Sequence, residues 1–176
     1  MNIVQNLKWI IIDVDGTMTD GGIYYDNYGN ELKKFNTKDA IGIVTAHQLG
    51  IKLVVLTGRE CKATEKRMQE LKIDYLFQNI KNKYQFIIDF MKENNIKREE
   101  IGYIGDDLND FLPMKETGYI GCPGDACLEI KTIADYISEM SGGKGAVRDI
   151  IVHIAKERGE WDKILKQLVW SEYLKQ

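Results

Sequence analysis

The sequence has no long apolar run. The stretch Trp9–Ile12 is cut off by Asp13 and Asp15, and no window approaches the length of a membrane span. Met1–Lys8 holds no charged segment leading into an apolar run, so a secretory leader is not expected and the cytoplasm is the expected compartment. An excess of one charge sign is also missing. The 24 Lys and Arg against 27 Asp and Glu leave a net charge of −3, which gives no electrostatic case for nucleic acid or an anionic membrane as a partner. Cysteine is scarce and odd in number. Cys61, Cys122 and Cys127 form no CxxC pair and have no neighbouring histidine, which argues against a disulfide framework and leaves them as reduced structural or surface thiols. Internal repeats and low-complexity linkers are absent. The 176 residues therefore suggest one domain, long enough to bury a core without disulfides or a structural metal.

What is present is an alternation of short β-type and helical runs. Lys8–Val14 and Lys52–Leu56 read as buried strands, and so does Ile101–Ile104. Tyr75–Phe77, Tyr119–Gly121 and Tyr136–Ile137 are shorter candidates. Helical patterns cover Ala40–Leu49, Lys62–Leu71, Lys83–Asn94, Leu108–Glu116 (with Pro113 inside) and Gly145–Arg158. Continuous apolar strands separated by helices imply βαβ units and a doubly wound, mainly parallel α/β sheet. Gly21–Phe35 breaks the rhythm: two β-type runs around Asn27–Asn30 read as a hairpin inserted after the first strand. The domain is expected over residues 1–158, followed by a helical tail over 159–176 that carries Trp161, Leu165, Leu168, Val169, Trp170 and Leu174.

In an open parallel sheet, ligands bind beyond the carboxyl ends of the strands. Three expected strands end there in Asp13-Val14-Asp15-Gly16-Thr17, in Thr57-Gly58-Arg59 and in Gly105-Asp106-Asp107-Leu108-Asn109-Asp110. Such a set of carboxylates is unfavourable without a cation, and its all-oxygen character suits Mg²⁺, particularly beside a phosphate. A carboxylate such as Asp13 can attack phosphorus and divide hydrolysis into two steps. Strand alternation would send Asp15 to the same side as Asp13.

The ordered set Asp13-Val14-Asp15-Gly16-Thr17, Thr57, Lys83 and Gly105-Asp106-Asp107 resembles the four motifs of the haloacid dehalogenase superfamily. The resemblance covers nearly the whole chain and implies a Rossmann-like core acting as a phosphatase. It makes Asp13 the nucleophile, Asp15 the acid and then base, and Thr57 and Lys83 the partners of the phosphoryl group. It also implies Mg²⁺ held by Asp13, the Asp15 carbonyl, Asp106 and Asp107, with Asp110 orienting the acidic shell and Gly16, Thr17 and Gly58 close to substrate. The gaps from Asp15 to Thr57 and from Thr57 to Lys83 leave no room for a cap domain, so an open site is expected.

The hairpin, Phe35–Gly42, Thr57-Gly58-Arg59 and Gly142–Arg148 resemble one capless subfamily, the 3-deoxy-D-manno-octulosonate 8-phosphate phosphatases. That resemblance implies a homotetramer with a neighbour closing each site, and a phosphorylated 2-keto-3-deoxy sugar acid as substrate. Lys38, Arg59 and Arg148 are candidates for its anionic groups. Alternatives are a phosphatase for a nonulosonate 9-phosphate or another sugar phosphate, a non-catalytic oligomerisation module and a receiver domain. Tyr75-Leu76-Phe77-Gln78 resembles the nonulosonate enzymes, but Arg59 stands where those carry an acidic residue.

Overall fold

The structure, a computed structural model, describes residues 3–173, with side chains through Trp170. The elements in chain order begin with β1 (Trp9–Ile12), β2 (Tyr24–Tyr25), β3 (Glu31–Leu32), α1 (Asp39–Gln48) and β4 (Lys52–Leu56). Next come α2 (Lys62–Glu70), β5 (Tyr75–Phe77), α3 (Lys83–Glu93), β6 (Ile101–Ile104) and α4 (Leu108–Lys115). The chain continues through β7 (Tyr119–Cys122), α5 (Leu128–Ile133), β8 (Tyr136–Ile137), α6 (Ala146–Glu157) and α7 (Trp161–Tyr173).

Six strands form one parallel sheet in the order β5-β4-β1-β6-β7-β8. Central β1 is paired on both edges, Ile11 lying between Val54 and Tyr103. With both faces covered, the strand can be apolar throughout, and alternation divides its side chains between two cores. Ile10 and Ile12 join Leu53 and Val55 on the face covered by α1, α2 and α6. Ile11 joins Val54 and Leu56 on the other face, beneath Ile87 and Phe90 of α3, Met114 of α4 and Ile130 of α5. The expected doubly wound sheet is the one found.

The hairpin β2–β3 is antiparallel and stands off this sheet. Asp26 closes its turn by accepting the Tyr28 and Asn30 N–H groups, each at 2.8 Å. Ile23, Tyr24, Tyr25, Tyr28 and Leu32 are exposed along it. No domain is inserted between the elements, as the short gaps required.

Some boundaries differ from the sequence reading. The first strand stops at Ile12, and Val14–Met18 turns into a kinked helical segment. The six residues of α5 were not anticipated, being too few to show a helical period. Pro113 lies inside α4, which ends two residues later at Lys115. The tail helix packs on its own domain through buried Ile164, while Leu165, Val169 and Trp170 are exposed. Leu174 lies outside the described residues. No helix among the described residues is long and apolar enough to cross a membrane.

Candidate active site

The carboxyl ends of β1, β4 and β6 meet at one edge of the sheet. The Asp13 N–H donates to the Ile104 carbonyl at 2.9 Å, so this residue is still fixed to β6 although β1 has ended. Beyond it the chain reverses at Gly16, whose φ of 91° is a left-handed conformation that favours glycine. A Cβ there would lie 2.0 Å from Asp106 Oδ2, so the missing side chain is what lets the β6 loop approach. Gly142 presses on the same turn, where a Cβ would stand 1.8 Å from the Gly16 carbonyl oxygen. Asp13 and Asp15 line one cavity from beyond the end of β1. The strand alternation expected from sequence is not the cause, because Val14 between them already belongs to the kinked helical segment.

Lys83, the first residue of α3, is buried beneath the cavity. Its Nζ donates to Asp13 Oδ1 at 2.6 Å and to Asp110 Oδ1 at 2.7 Å. The Tyr103 hydroxyl donates to the same Asp110 oxygen at 2.7 Å, and the Asp106 N–H donates to Asp110 Oδ2 at 3.3 Å. Thr17 Oγ1 donates to Asp106 Oδ1 at 2.8 Å. Burial pushes the Asp13 carboxyl well above the usual carboxylate range; the Asp110 charge adds to this and Lys83 opposes it. Burial likewise carries Asp106 up to about 7, against the Thr17 hydrogen bond. Burial pulls the Lys83 ammonium down, but the charges of Asp13 and Asp110 outweigh it and its pKa is raised.

One oxygen from each of Asp13, Asp106 and Asp110 lies within 4.8 Å of the others. Three carboxylates around one ammonium leave negative charge uncompensated, and an all-oxygen set suits a hard divalent cation. Both Asp110 oxygens already accept hydrogen bonds, so Asp13 and Asp106 are the carboxylates with capacity for an ion. Asp107 is exposed and accepts the Leu108 N–H at 2.8 Å as the cap of α4.

The cavity measures about 320 Å³ and is lined by Asp13, Asp15, Gly16, Thr57, Gly58, Arg59, Asp106, Asp107 and Asn109. Lys38 and Arg148 are not among its walls. They line another cavity of about 270 Å³ with Lys144 and Trp161, so within one chain the three candidate cations are divided two from one.

Three side chains at the site were missed in the sequence. Lys33 Nζ contacts Asp15 Oδ1 and lies 2.8 Å from Glu31 Oε1. Glu31 in turn accepts from Arg59 Nη2 at 2.8 Å, and the Arg59 hydrogen bonds take the lead in pulling its carboxyl down to about 2. The signal was period two in the hairpin, which puts Glu31 and Lys33 on one side and exposed Leu32 on the other. Tyr103 reads as one more apolar strand residue, and nothing in the sequence marks its hydroxyl as a partner of Asp110.

The family model described as haloacid dehalogenase-like hydrolase matches residues 22–119. A 3-deoxy-D-manno-octulosonate 8-phosphate phosphatase of Salmonella typhi is 36% identical over 169 residues, covering 96% of this chain and 90% of that protein. The enzyme so named in Haemophilus influenzae is 32% identical over 157 residues, with 89% and 87% covered. Among solved structures, the corresponding phosphatase of Moraxella catarrhalis, in complex with magnesium, phosphate and KDO, has a TM-score of 0.90 at 31% identity, with 94% and 95% covered. The cobalt-bound Haemophilus influenzae phosphatase has a TM-score of 0.85 at 32% identity, covering 90% of this chain and 93% of that one.

Proposed function

Because the chain belongs to the haloacid dehalogenase-like hydrolases, we propose that it is a Mg²⁺-dependent phosphomonoesterase acting on 3-deoxy-D-manno-octulosonate 8-phosphate. The observation that carries this reading is the buried Lys83–Asp13 pair with half-buried Asp106 beside it at the floor of an open cavity.

Asp13 attacks phosphorus through a carboxylate oxygen. The bond from phosphorus to the sugar oxygen breaks, and Asp15 gives that oxygen its proton. Asp15 then takes a proton from water, the water oxygen attacks the phosphoryl group on Asp13, and phosphate and free Asp13 result. Lys83 keeps a positive charge against Asp13 throughout, and the Thr57 hydroxyl, which donates to Asp15 Oδ2 at 3.3 Å, is assigned to a phosphoryl oxygen when substrate is bound. Asp13, Asp106, Asp107 and the Asp15 carbonyl would hold Mg²⁺, which would neutralise charge between nucleophile and phosphate. Gly16, Thr17 and Gly58 shape the approach to the phosphoryl group. Arg59, on the cavity wall, is assigned to the anionic part of the sugar acid. Lys38 and Arg148 belong to the other cavity and are assigned no contact with a phosphate at Asp13 within one chain.

Exposed Ile23, Tyr24, Tyr25, Tyr28 and Leu32 support assembly through the hairpins, for which a cytoplasmic homotetramer is the proposed form. A phosphate-release screen with Mg²⁺ tests the substrate. It should favour octulosonate 8-phosphate over nonulosonate 9-phosphates and plain sugar phosphates in kcat/KM. A plain sugar phosphate turned over faster than either keto-deoxy acid phosphate would overturn the substrate assignment.

A further inference from the structure

Lys33 is a buried cation at the site that the chemistry above leaves unused. Its side chain is 2% exposed, although it comes from a hairpin that stands off the main sheet. A surface lysine ordinarily extends its ammonium into water, and burying that charge is costly unless anions meet it. Here two do: Asp15 through Oδ1 and Glu31 at 2.8 Å. Glu31 is itself held by Arg59, through Nη2 at 2.8 Å and Nε at 3.1 Å. Charges therefore alternate from the cavity wall through the hairpin to Asp15. The second Asp15 oxygen accepts from Thr57 Oγ1 at 3.3 Å, so one oxygen is held by the hairpin and the other by the loop after β4.

We propose that Lys33 is the positioning residue for Asp15, fixing its carboxylate where a departing oxygen needs its proton, so that full activity requires the hairpin in its docked position. This rests on the phosphatase reading, in which Asp15 protonates the leaving group. Bad placement of an acid matters in proportion to how badly the leaving group needs a proton. A sugar alkoxide needs one; 4-nitrophenolate leaves without it. Loss of Lys33 should therefore be felt selectively on alkyl phosphates, whereas a purely structural lysine would affect all substrates alike.

The test compares Lys33→Met, Lys33→Arg and the unaltered enzyme on octulosonate 8-phosphate and 4-nitrophenyl phosphate, with Mg²⁺ present. Lys33→Met should lose about 100-fold in kcat/KM on the alkyl phosphate, the scale of a small misplacement of a reacting group; kcat/KM reports the transfer to Asp13 and not the later attack of water, which all substrates share. The loss in kcat/KM on the aryl phosphate should be below about 10-fold, and Lys33→Arg should recover part of the alkyl loss. Equal losses on both substrates, or none on either, would overturn the proposal. Should Lys33→Met not fold, Glu31→Gln keeps the lysine and removes its second anchor. It should still lower the alkyl-to-aryl ratio of kcat/KM, and an unchanged ratio counts against the proposal. Aryl phosphate hydrolysis that requires Mg²⁺ and vanishes in Asp13→Asn establishes the phosphatase reading separately, so the two can fail independently.

Discussion

Lys83 Nζ lies 2.6 Å from Asp13 Oδ1, and 70 positions in sequence separate the two residues. Both are buried, and β1 and the start of α3 bring them together before any substrate arrives. Lys83→Met would leave Asp13 and Asp110 without their cation. Losing one partner of a buried ion pair costs about 3–5 kcal/mol. The variant should therefore melt well below the unaltered protein and release phosphate at least about 100-fold more slowly. Thermal unfolding followed by circular dichroism, together with steady-state kinetics, measures both effects.

Gly16→Ala is expected to affect the metal more than the fold. A methyl group there would meet Asp106 Oδ2 at 2.0 Å in a backbone conformation that disfavours it, so the Asp106 carboxylate must move. A Mg²⁺ titration of phosphate release should show the half-saturating concentration raised by about 10-fold or more, on the scale of disturbing the support of a metal ligand.

Arg59→Ala should weaken binding of the sugar acid. Charged hydrogen bonds contribute about 1.5–3 kcal/mol, so KM for octulosonate 8-phosphate should rise by roughly 10- to 100-fold. Because 4-nitrophenyl phosphate carries no second anionic group, its KM should change far less. Parallel KM measurements on the two substrates decide it.

Asp39 gives a pH prediction away from the catalytic groups. It is buried at the start of α1, and burial raises its carboxyl to about 6, against the Arg148 N–H that donates to it at 3.2 Å. A carboxyl raised above its unfolded value of about 3.9 adds stability below that pH and loses it as pH rises through the folded value. Asp39→Asn should therefore gain on the unaltered protein between about pH 4 and pH 7, by about 3 kcal/mol at most, with little further change above. Urea denaturation at pH 4 and pH 8 measures the difference.

The sheet was legible because both faces of each central strand are buried: runs such as Trp9–Ile12 and Lys52–Leu56 cannot alternate with polar residues without losing a core. The short acidic and glycine segments after those runs carried the site, since strand ends are where such residues gather. The route was less legible. Asp15 lines the cavity from a kinked helical segment beyond β1, and a period-two pattern cannot show where a strand stops. α5 was too short to reveal a period. Lys33 and Glu31 looked like ordinary charges on a hairpin because their partners, Asp15 and Arg59, are 18 and 28 positions away. Lys38 and Arg148 looked equal to Arg59 by charge alone, and only the packing of α6 against α1 brings them together on another cavity.

Asp13 as the nucleophile can be tested by trapping. Enzyme mixed with Mg²⁺ and octulosonate 8-phosphate, quenched in acid and treated with borohydride should be reduced at its phosphorylated carboxyl. Peptide mass spectrometry should then find homoserine at position 13 and unaltered aspartate at positions 15, 106 and 107. Reduction at another aspartate, or phosphate released at an undiminished rate by Asp13→Asn, would contradict it.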